Sequence, residues 1–186
     1  MELRHVSFSY GEEKIIEEFS LSLANGRRIC VMGESGRGKT TLMRLMLGLA
    51  APGSGEIIRG EKEKPAAVFQ EDRLLPWYSV RKNVEIAADG FKEVDKLLED
   101  LELGEHKNKL PKELSGGQQR RAAIARALAY GGEPLLLDEP FKGLDPDMRE
   151  RIAGKILEHA KGASILLITH DEKEAELLNC DEIIRL

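Results

Sequence analysis

The sequence predicts an α/β fold built around a parallel sheet, and two observations support this prediction. Short apolar runs alternate with segments whose apolar residues recur every three or four positions, which is the order of strands and helices typical of a parallel sheet. Hydrophobic residues make up 41% of the 186 residues and charged residues 33%, a balance that favours a folded chain over a disordered one. A chain of this length can bury a sizeable core, so we expect one domain over residues 1–186.

The elements of the predicted core follow one another along the chain. Helical spacing in residues 41–49 places Leu42, Leu45, Met46 and Leu49 on one face. The predicted strands are 27–32, 66–69, 135–137, 165–169 and 182–186, and the other predicted helices are 93–101, 118–129, 147–161 and 172–178.

Two parts of the chain depart from this alternation. In the first 25 residues Val6, Phe8 and Tyr10 alternate with serines, a half-buried pattern that predicts a small antiparallel β region. From about residue 72 to residue 125 the chain reads as helical and charged, which predicts a helical insertion into the core.

Composition restricts the classes of function. Basic and acidic residues are mixed along a chain of formal net charge −5, so we expect no nucleic-acid partner. Two widely separated cysteines, Cys30 and Cys180, fit no metal-binding spacing, and Cys30 lies in an apolar run typical of a buried thiol in a reducing compartment. The N-terminus carries no apolar signal segment, and no apolar run reaches the length of a membrane span. We therefore expect a soluble protein whose membrane role, if any, comes through a partner.

A glycine-rich segment fits the phosphate-binding pattern G-x-x-x-x-G-K-[ST] and lies between a predicted strand and a predicted helix. Glycines let successive backbone N–H groups turn towards phosphate oxygens, and the positive end of the following helix faces the same point. We expect Lys39 to reach the β- and γ-phosphates and the Thr40 hydroxyl to bind Mg²⁺. The residues predicted to bind nucleotide here are Gly33, Glu34, Ser35, Gly36, Arg37, Gly38, Lys39, Thr40 and Thr41.

A second apolar strand, 135–137, ends in the carboxylates Asp138 and Glu139. Because ligands bind at the carboxyl ends of strands in such sheets, these side chains are expected near the phosphate loop. Asp138 is predicted to hold Mg²⁺ and Glu139 to act as the general base on the attacking water. In isolation, an apolar run ending in two acids would more often indicate a helix cap or turn.

The segment Leu114 to Gln118, with the sequence LSGGQ, allows two interpretations. Ser115 and Gln118 form a capping box, with serine at the N-cap and glutamine three residues later. That interpretation leaves the consecutive glycines Gly116 and Gly117 unexplained, because glycine destabilises the first turn of a helix. A helix N-terminus carrying bare glycines is also a second site for an anion.

These motifs, in this order, resemble the ATP-binding subunits of ABC transporters, and LSGGQ is the most specific of them. The resemblance covers essentially the whole chain. It implies a P-loop NTPase (RecA-like) core that binds ATP with Mg²⁺ and hydrolyses it. It also implies a head-to-tail homodimer, in which each nucleotide lies between the phosphate loop of one subunit and LSGGQ of the other.

The resemblance assigns further roles to residues at matching positions. Tyr10 is similar to the aromatic residue that stacks on adenine, although it could instead face the core from its strand. Gln70 matches the glutamine that senses Mg²⁺, water and the membrane partner, so it is predicted to be both catalytic and a metal ligand. Asp145 matches the loop that lies across the dimer, and His170 matches the histidine that contacts the γ-phosphate and supports Glu139. Lys39 completes the predicted catalytic set, and the predicted nucleotide contacts at the opposite subunit are Ser115, Gly116, Gly117 and Gln118.

Within this family the segment from Phe69 to Trp77 resembles bacterial importers of nitrate, sulfonates and taurine. Leu74, Leu75 and Trp77 could be ordinary core residues or could line a groove for the permease. The resemblance implies peripheral attachment to the cytoplasmic face of a bacterial membrane, through permease subunits, with a substrate-binding protein as an indirect partner. The chain ends at Leu186, directly after its last predicted strand, and we expect no regulatory domain. A soluble ABC ATPase, or a nucleotide switch without hydrolysis, are the alternatives, and the presence of Glu139 and His170 argues against the second.

Overall fold

A computed structural model describes residues 1–34, 36–61, 63–88 and 90–186. In chain order the elements are β1 (Glu2–Tyr10), β2 (Glu13–Ser22), β3 (Arg28–Met32), α1 (Lys39–Met46), β4 (Ser54–Ile58), β5 (Ala66–Val68), α2 (Val80–Glu85), α3 (Val94–Asp100), α4 (Gly116–Tyr130), β6 (Leu135–Asp138), α5 (Pro146–Ala160), β7 (Ile165–Ile168), α6 (Glu172–Leu177) and β8 (Glu182–Arg185), with short 3-10 turns at Gly104–His106 and Pro111–Glu113.

The chain forms two compact units. The first contains Met1–Pro65, Glu133–Asp138 and Ala163–Leu186, and the second contains Ala66–Gly132 and Glu139–Gly162. The predicted α/β class is confirmed. Among the described residues of 72–125, every regular element is helical.

A parallel sheet forms the core of the first unit, with its strands in the order β6, β7, β3, β8. Strands β6 and β7 are buried along their whole length and β3 from its second residue onwards, which explains why they read as continuous apolar runs rather than alternating ones. In this sheet Cys30 pairs with Leu167 on one side and with Ile183 on the other, and its side chain is fully buried as predicted.

An antiparallel sheet in the order β2, β1, β4 occupies the N-terminal part of the first unit, as the alternating pattern predicted for β1 and β2. Strand β4 was not predicted, because its sequence SGEII has only two apolar residues and begins with turn-forming ones. Pairing with β1 holds it in place. Gly55 has a φ of +77°, and an added Cβ would lie 2.2 Å from the His5 carbonyl oxygen and 2.4 Å from that of Arg4.

Helix α1 ends earlier than predicted. Gly48 adopts a φ of +72°, its N–H donates to the Leu45 carbonyl, and the N–H of Leu49 donates to the Arg44 carbonyl. This pair of hydrogen bonds is the Schellman arrangement that stops a helix at glycine. The prediction that Leu49 lies on the apolar face of the helix is wrong. Leu49 lies beyond the end of the helix and is 62% exposed.

The described residues of the second unit form four α-helices besides the short strand β5 and the 3-10 turns, and three of these helices begin at a polar cap. Ser79, Ser115 and Asp145 each accept a hydrogen bond from the backbone three residues later, at the starts of α2, α4 and α5. Helix α4 contacts α2, α3 and α5, and small alanine side chains allow this close packing on several faces. None of the described helices is both long enough and apolar enough to cross a membrane.

Two glycine substitutions should change stability in opposite directions. Gly55→Ala should lower the free energy of unfolding by about 3 kcal/mol or more, because a left-handed backbone and a carbonyl clash both oppose the new methyl group. Gly154→Ala should raise it by about 0.5–1 kcal/mol, since Gly154 lies in α5 with open space at its Cβ position. Urea titration followed by circular dichroism measures both; equal effects of the two changes would contradict the conformation assigned to Gly55.

Candidate functional site

The predicted phosphate loop connects β3 to α1 in the first unit. Its glycines Gly36 and Gly38 have φ values of +87° and +86°, a region that glycine enters without strain. Gly38 also has no room for a side chain, because an added Cβ would lie 2.8 Å from Ile15 Cγ2 and 3.0 Å from the Ile15 carbonyl oxygen. Both the backbone conformation and the lack of space for a Cβ therefore require glycine at position 38. Ser35, which was also predicted to bind nucleotide, lies outside the described residues.

Lys39 folds back across this loop. Its ammonium group donates to the carbonyl oxygens of Gly33 at 2.6 Å and Glu34 at 2.8 Å. These contacts hold the charged end of the Lys39 side chain over the loop. The backbone N–H of Arg37 donates to the same Glu34 carbonyl at 3.3 Å. A lysine in this position offers a fixed positive charge to an anion held by the loop.

Thr40 and Asp138 meet at the start of α1 and the end of β6. The Thr40 hydroxyl donates to Asp138 Oδ2 at 3.0 Å, and Asp138 is 2% exposed. The neighbouring Thr41 is also buried. The two residues predicted from separate motifs to hold Mg²⁺ thus present a hydroxyl and a carboxylate oxygen to the same point.

His170 follows β7 at the same edge of the parallel sheet. It lines a cavity together with Met32, Gly33, Glu34 and Arg37 of the phosphate loop region. Position 170 is fixed by Thr169, whose hydroxyl donates to Glu174 at 2.6 Å and accepts from the N–H of Asp171. The structure therefore brings His170 beside the phosphate loop.

Tyr10 lies at the end of β1 with 48% of its surface exposed, so the alternative that it faces the core is wrong. Its ring contacts Phe8 edge to face at a centroid distance of 4.8 Å, and its hydroxyl accepts a hydrogen bond from Arg44 at 3.3 Å. A hydrogen bond with Thr41 and this Arg44 contact lower the pKa of the Tyr10 phenol. One face of an ordered aromatic ring is thus available to a ligand in the first unit.

The second unit carries the remaining predicted residues. Glu139 is half-buried and has a φ of +50°, a conformation that is uncommon outside glycine and concentrates at functional sites. Asp145 caps α5 by accepting from the N–H of Met148 at 2.9 Å. Gln70 is exposed and lies two residues after the end of β5.

The capping box predicted at the start of α4 is confirmed. Gln118 Oε1 accepts from the N–H of Ser115 at 2.9 Å, and the Ser115 hydroxyl accepts from the N–H of Gln118 at 3.3 Å. The two glycines between them differ. An added Cβ on Gly117 would approach Leu144 Cδ2 at 3.1 Å and the Gly143 carbonyl oxygen at 3.2 Å, whereas Gly116 faces open space. Packing accounts for Gly117 and leaves Gly116 unexplained.

Sequence reasoning missed a set of arginines on α4. Arg120 and Arg126 bind backbone carbonyls of the segment 69–73, and an ion pair joins Arg120 to Asp72 at 3.2 Å without hydrogen-bond alignment. Burial raises the pKa of the Asp72 carboxyl, although Arg120 and Arg126 oppose the rise. The available signal was an arginine pair in an otherwise alanine-rich helix.

A cluster elsewhere in the second unit also combines metal-binding side chains. Asp100, Glu158 and His159 offer ligand atoms within 4.8 Å of one another, and it is the one such group among the described residues. Lys155 lies 3.4 Å from Asp100 and 2.9 Å from Glu158, and His159 Nε2 lies 3.0 Å from Asp100. The lysine supplies the positive charge that these carboxylates attract, so the cluster is satisfied as an ion-pair network.

Comparison with known proteins decides the family. The profile of the family described as ABC transporter matches residues 16–142, more than half of the chain. The chain belongs to the ABC transporter family. It is an ATP-binding cassette that hydrolyses ATP, as the motifs predicted.

Named relatives and solved cassettes resemble this ABC protein over nearly its whole length. It is 40% identical to an aliphatic sulfonates import ATP-binding protein of Granulibacter bethesdensis, over 99% of this chain and 78% of the relative. A second protein of that description, from Pseudomonas aeruginosa, is 38% identical over 93% of this chain and 67% of the relative. The dimeric structure of the bacterial cassette MJ0796 superimposes with a TM-score of 0.87 at 28% identity, covering 100% of this chain and 93% of the other. A post-hydrolysis dimer of MJ0796 with ADP and Pi gives 0.85 at 29% identity, with the same coverage of both chains.

Removing the ammonium group of Lys39 should weaken nucleotide binding. Lys39→Ala should reduce ATP affinity about 10- to 100-fold, the ratio expected for losing a hydrogen bond to a charged group of roughly 1.5–3 kcal/mol. Fluorescent-nucleotide titration measures the affinity. Lys96→Ala, at an exposed position of α3, is the matched control and should bind ATP normally. Equal affinities for both variants would show that Lys39 is not a phosphate contact.

Proposed function

We propose that this cassette powers import through a separate membrane permease, and that two copies close head to tail around ATP. The dimer is supported by the presence of two anion-binding features in one chain. The first unit holds the glycine-rich loop, and the second presents Ser115 and Gly116 at an open helix N-terminus. A shared site explains why Gly116 is bare where packing does not require it. The dimeric structure of a cassette that superimposes with a TM-score of 0.87 supports the pairing of two copies.

In this proposal the phosphate loop holds the nucleotide of its own subunit. Backbone N–H groups of Gly33, Gly36 and Gly38 face the phosphate oxygens, and Lys39 moves its ammonium group from the loop carbonyls to the β- and γ-phosphates. Tyr10 offers its exposed ring to the adenine. The other contacts proposed within the subunit are Glu34, Ser35, Arg37, Thr40 and Thr41, and the opposite subunit adds Ser115, Gly116, Gly117, Gln118 and Asp145.

The oxygen ligands suit Mg²⁺. Thr40 Oγ1 and Asp138 Oδ2 are 3.0 Å apart, and hydroxyl and carboxylate oxygens with retained waters are the ligands that this ion prefers. Gln70 is proposed as a further ligand on the family resemblance alone. When bound, Mg²⁺ neutralises the charge that accumulates on the phosphates.

Hydrolysis needs a base and a group that responds to the γ-phosphate. Glu139 is proposed to accept a proton from the attacking water, and its left-handed backbone is consistent with a position set by function rather than by local preference. His170, which shares a cavity with Gly33 and Glu34, is proposed to contact the γ-phosphate oxygen and to support Glu139. Loss of the γ-phosphate would then release the dimer.

The transported substrate is proposed to be a small organic sulfonate, because relatives at 38–40% identity carry that name. The permease would attach the chain to the cytoplasmic face of the membrane, with a substrate-binding protein as its distant partner. Trp77 is 67% exposed, so it is not a core residue, whereas Leu74 and Leu75 are half-buried. An exposed tryptophan with apolar neighbours suits contact with a permease helix.

Closure of the dimer can be tested at Ser115. Glu139→Gln should stop hydrolysis and hold an ATP-bound dimer in size-exclusion chromatography. Adding Ser115→Arg should return the protein to a monomer that still binds ATP, because a large cation would occupy the γ-phosphate position of the partner. Ser115→Ala in the same background removes the helix cap, worth about 1 kcal/mol, and one proposed nucleotide contact, but it leaves the helix N-terminus open and should weaken the dimer far less than Ser115→Arg does. A Glu139→Gln protein that stays monomeric in saturating ATP would refute the shared site.

Attachment to a permease can be tested by purification of tagged protein from detergent-solubilised native membranes. A multi-span protein should co-purify with the unmodified chain and should be lost with Trp77→Glu. Tyr130→Glu, which places a charge on another exposed aromatic residue of the second unit, is the matched control and should retain it. Recovery of soluble partners alone would favour the soluble ABC ATPase instead.

A further inference from the structure

Two arginines of α4 donate hydrogen bonds to backbone carbonyls of Gln70 and its neighbours. Arg120 Nη1 donates to the Phe69 carbonyl at 2.6 Å, and its Nη2 donates to the Gln70 carbonyl. Arg126 Nη1 donates to the Arg73 carbonyl at 2.7 Å, and its Nη2 donates to the Asp72 carbonyl at 3.0 Å. Four of the five carbonyl oxygens in the segment 69–73 therefore accept hydrogen bonds from side chains of one helix.

Within the part of the chain that the structure describes, few other contacts fix the conformation of the segment 69–73. It contains no helix or strand, and Arg73 adopts a φ of +47° that a side-chain-bearing residue reaches only at an energetic cost. The Arg73 guanidinium stacks on the Phe69 ring at 3.9 Å. The paired hydrogen bonds from α4 thus constrain the backbone that carries the Gln70 side chain.

Burial makes these contacts demanding. Arg120 is 3% exposed, and a guanidinium removed from water must find partners for its donors. Its planar fork reaches two adjacent carbonyls from two different nitrogens held in one plane, a fixed geometry that the ammonium of lysine does not supply. The Asp72 carboxylate lies 3.2 Å from Arg120 and offsets its charge.

We propose that Arg120 and Arg126 are positioning residues for ATP hydrolysis, which hold the Gln70 backbone in a fixed position relative to α4, the helix capped by Ser115. A rigid helix then carries the LSGGQ segment at its start and fixes the Gln70 backbone from its second and third turns. A movement of the LSGGQ segment would therefore displace the Gln70 backbone, and the reverse, while the hydrogen bonds from Arg120 and Arg126 stay intact. This inference rests on the catalytic role proposed above for Gln70.

Helix α4 supplies a matched control. Arg121 is also buried and also donates to two consecutive carbonyls, those of Leu101 and Glu102, each at 2.9 Å. It makes both contacts from Nη1 alone, with a different segment of the second unit, whereas Arg120 uses both Nη1 and Nη2. Arg121→Lys therefore changes a buried, carbonyl-binding arginine of the same helix without touching 69–73.

The test is a double-mutant cycle on kcat. Arg120→Lys and Arg126→Lys should each lower kcat about 10- to 100-fold, as misplacement of a catalytic group by an ångström does, while the ATP KM stays within about twofold. Gln70→Ala should lower kcat by at least as much. Arg120→Lys added to Gln70→Ala should cause no further loss, because the arginine acts through the glutamine. Arg121→Lys should keep wild-type kcat.

The outcomes separate the two proposals. A wild-type kcat for Gln70→Ala would refute the role of Gln70 and this inference with it. A slow Gln70→Ala beside a normal Arg120→Lys would refute the positioning role alone. An undiminished effect of Arg120→Lys in the Gln70→Ala background, or an equal loss in Arg121→Lys, would show that the arginines act only on stability, which urea titration of each variant measures.

Discussion

The shared register of the parallel strands is the constraint on which the phosphate site of the first unit depends. Ile168 of β7 pairs with Val31 on one side and with Asp138 on the other. Val31, Ile168 and Asp138 therefore lie side by side across the sheet. The phosphate loop begins two residues after Val31, His170 lies two residues after Ile168, and the acidic end of β6 begins at Asp138 itself. A slip of one residue would turn Asp138 to the opposite face and break its hydrogen bond with Thr40. Burial of these strands on both faces makes such a slip costly.

Prediction from sequence succeeded where a residue pattern has a local cause. The phosphate loop needs glycines and a following helix, the capping box needs Ser115 and Gln118, and both features lie within a few neighbouring residues. It failed at β4 because a distant partner decides there: the strand exists because β1 pairs with it. It also failed at Leu49, where the cause is local: Gly48 ends the helix although the apolar spacing of 41–49 continues past it. The sequence also could not choose between a core and an exposed position for Tyr10, since an alternating strand allows both.

Helix α4 shows why buried polar residues are hardest to predict. Its alanines let neighbouring elements approach on several faces, so the arginines between them cannot reach water and must end on carbonyl oxygens. From sequence alone, three arginines in fifteen residues resemble an ordinary solvated helix face. Only the three-dimensional arrangement shows that Arg120 and Arg121 serve different segments, one following β5 and the other following α3.

The paired glycines after Ser115 separate structural from functional need at adjacent positions. Gly117 is required by the close approach of Gly143 and Leu144, so any cassette with this packing would need a small residue there. No such contact exists at Gly116, and a side chain there would also remove the entropy cost that glycine brings to a helix. Stability alone would thus favour alanine at this position. A residue that is worse for the isolated fold and bare towards solvent is best explained by something that must come close to it, and a phosphate group held by a second subunit has the charge that the helix N-terminus attracts.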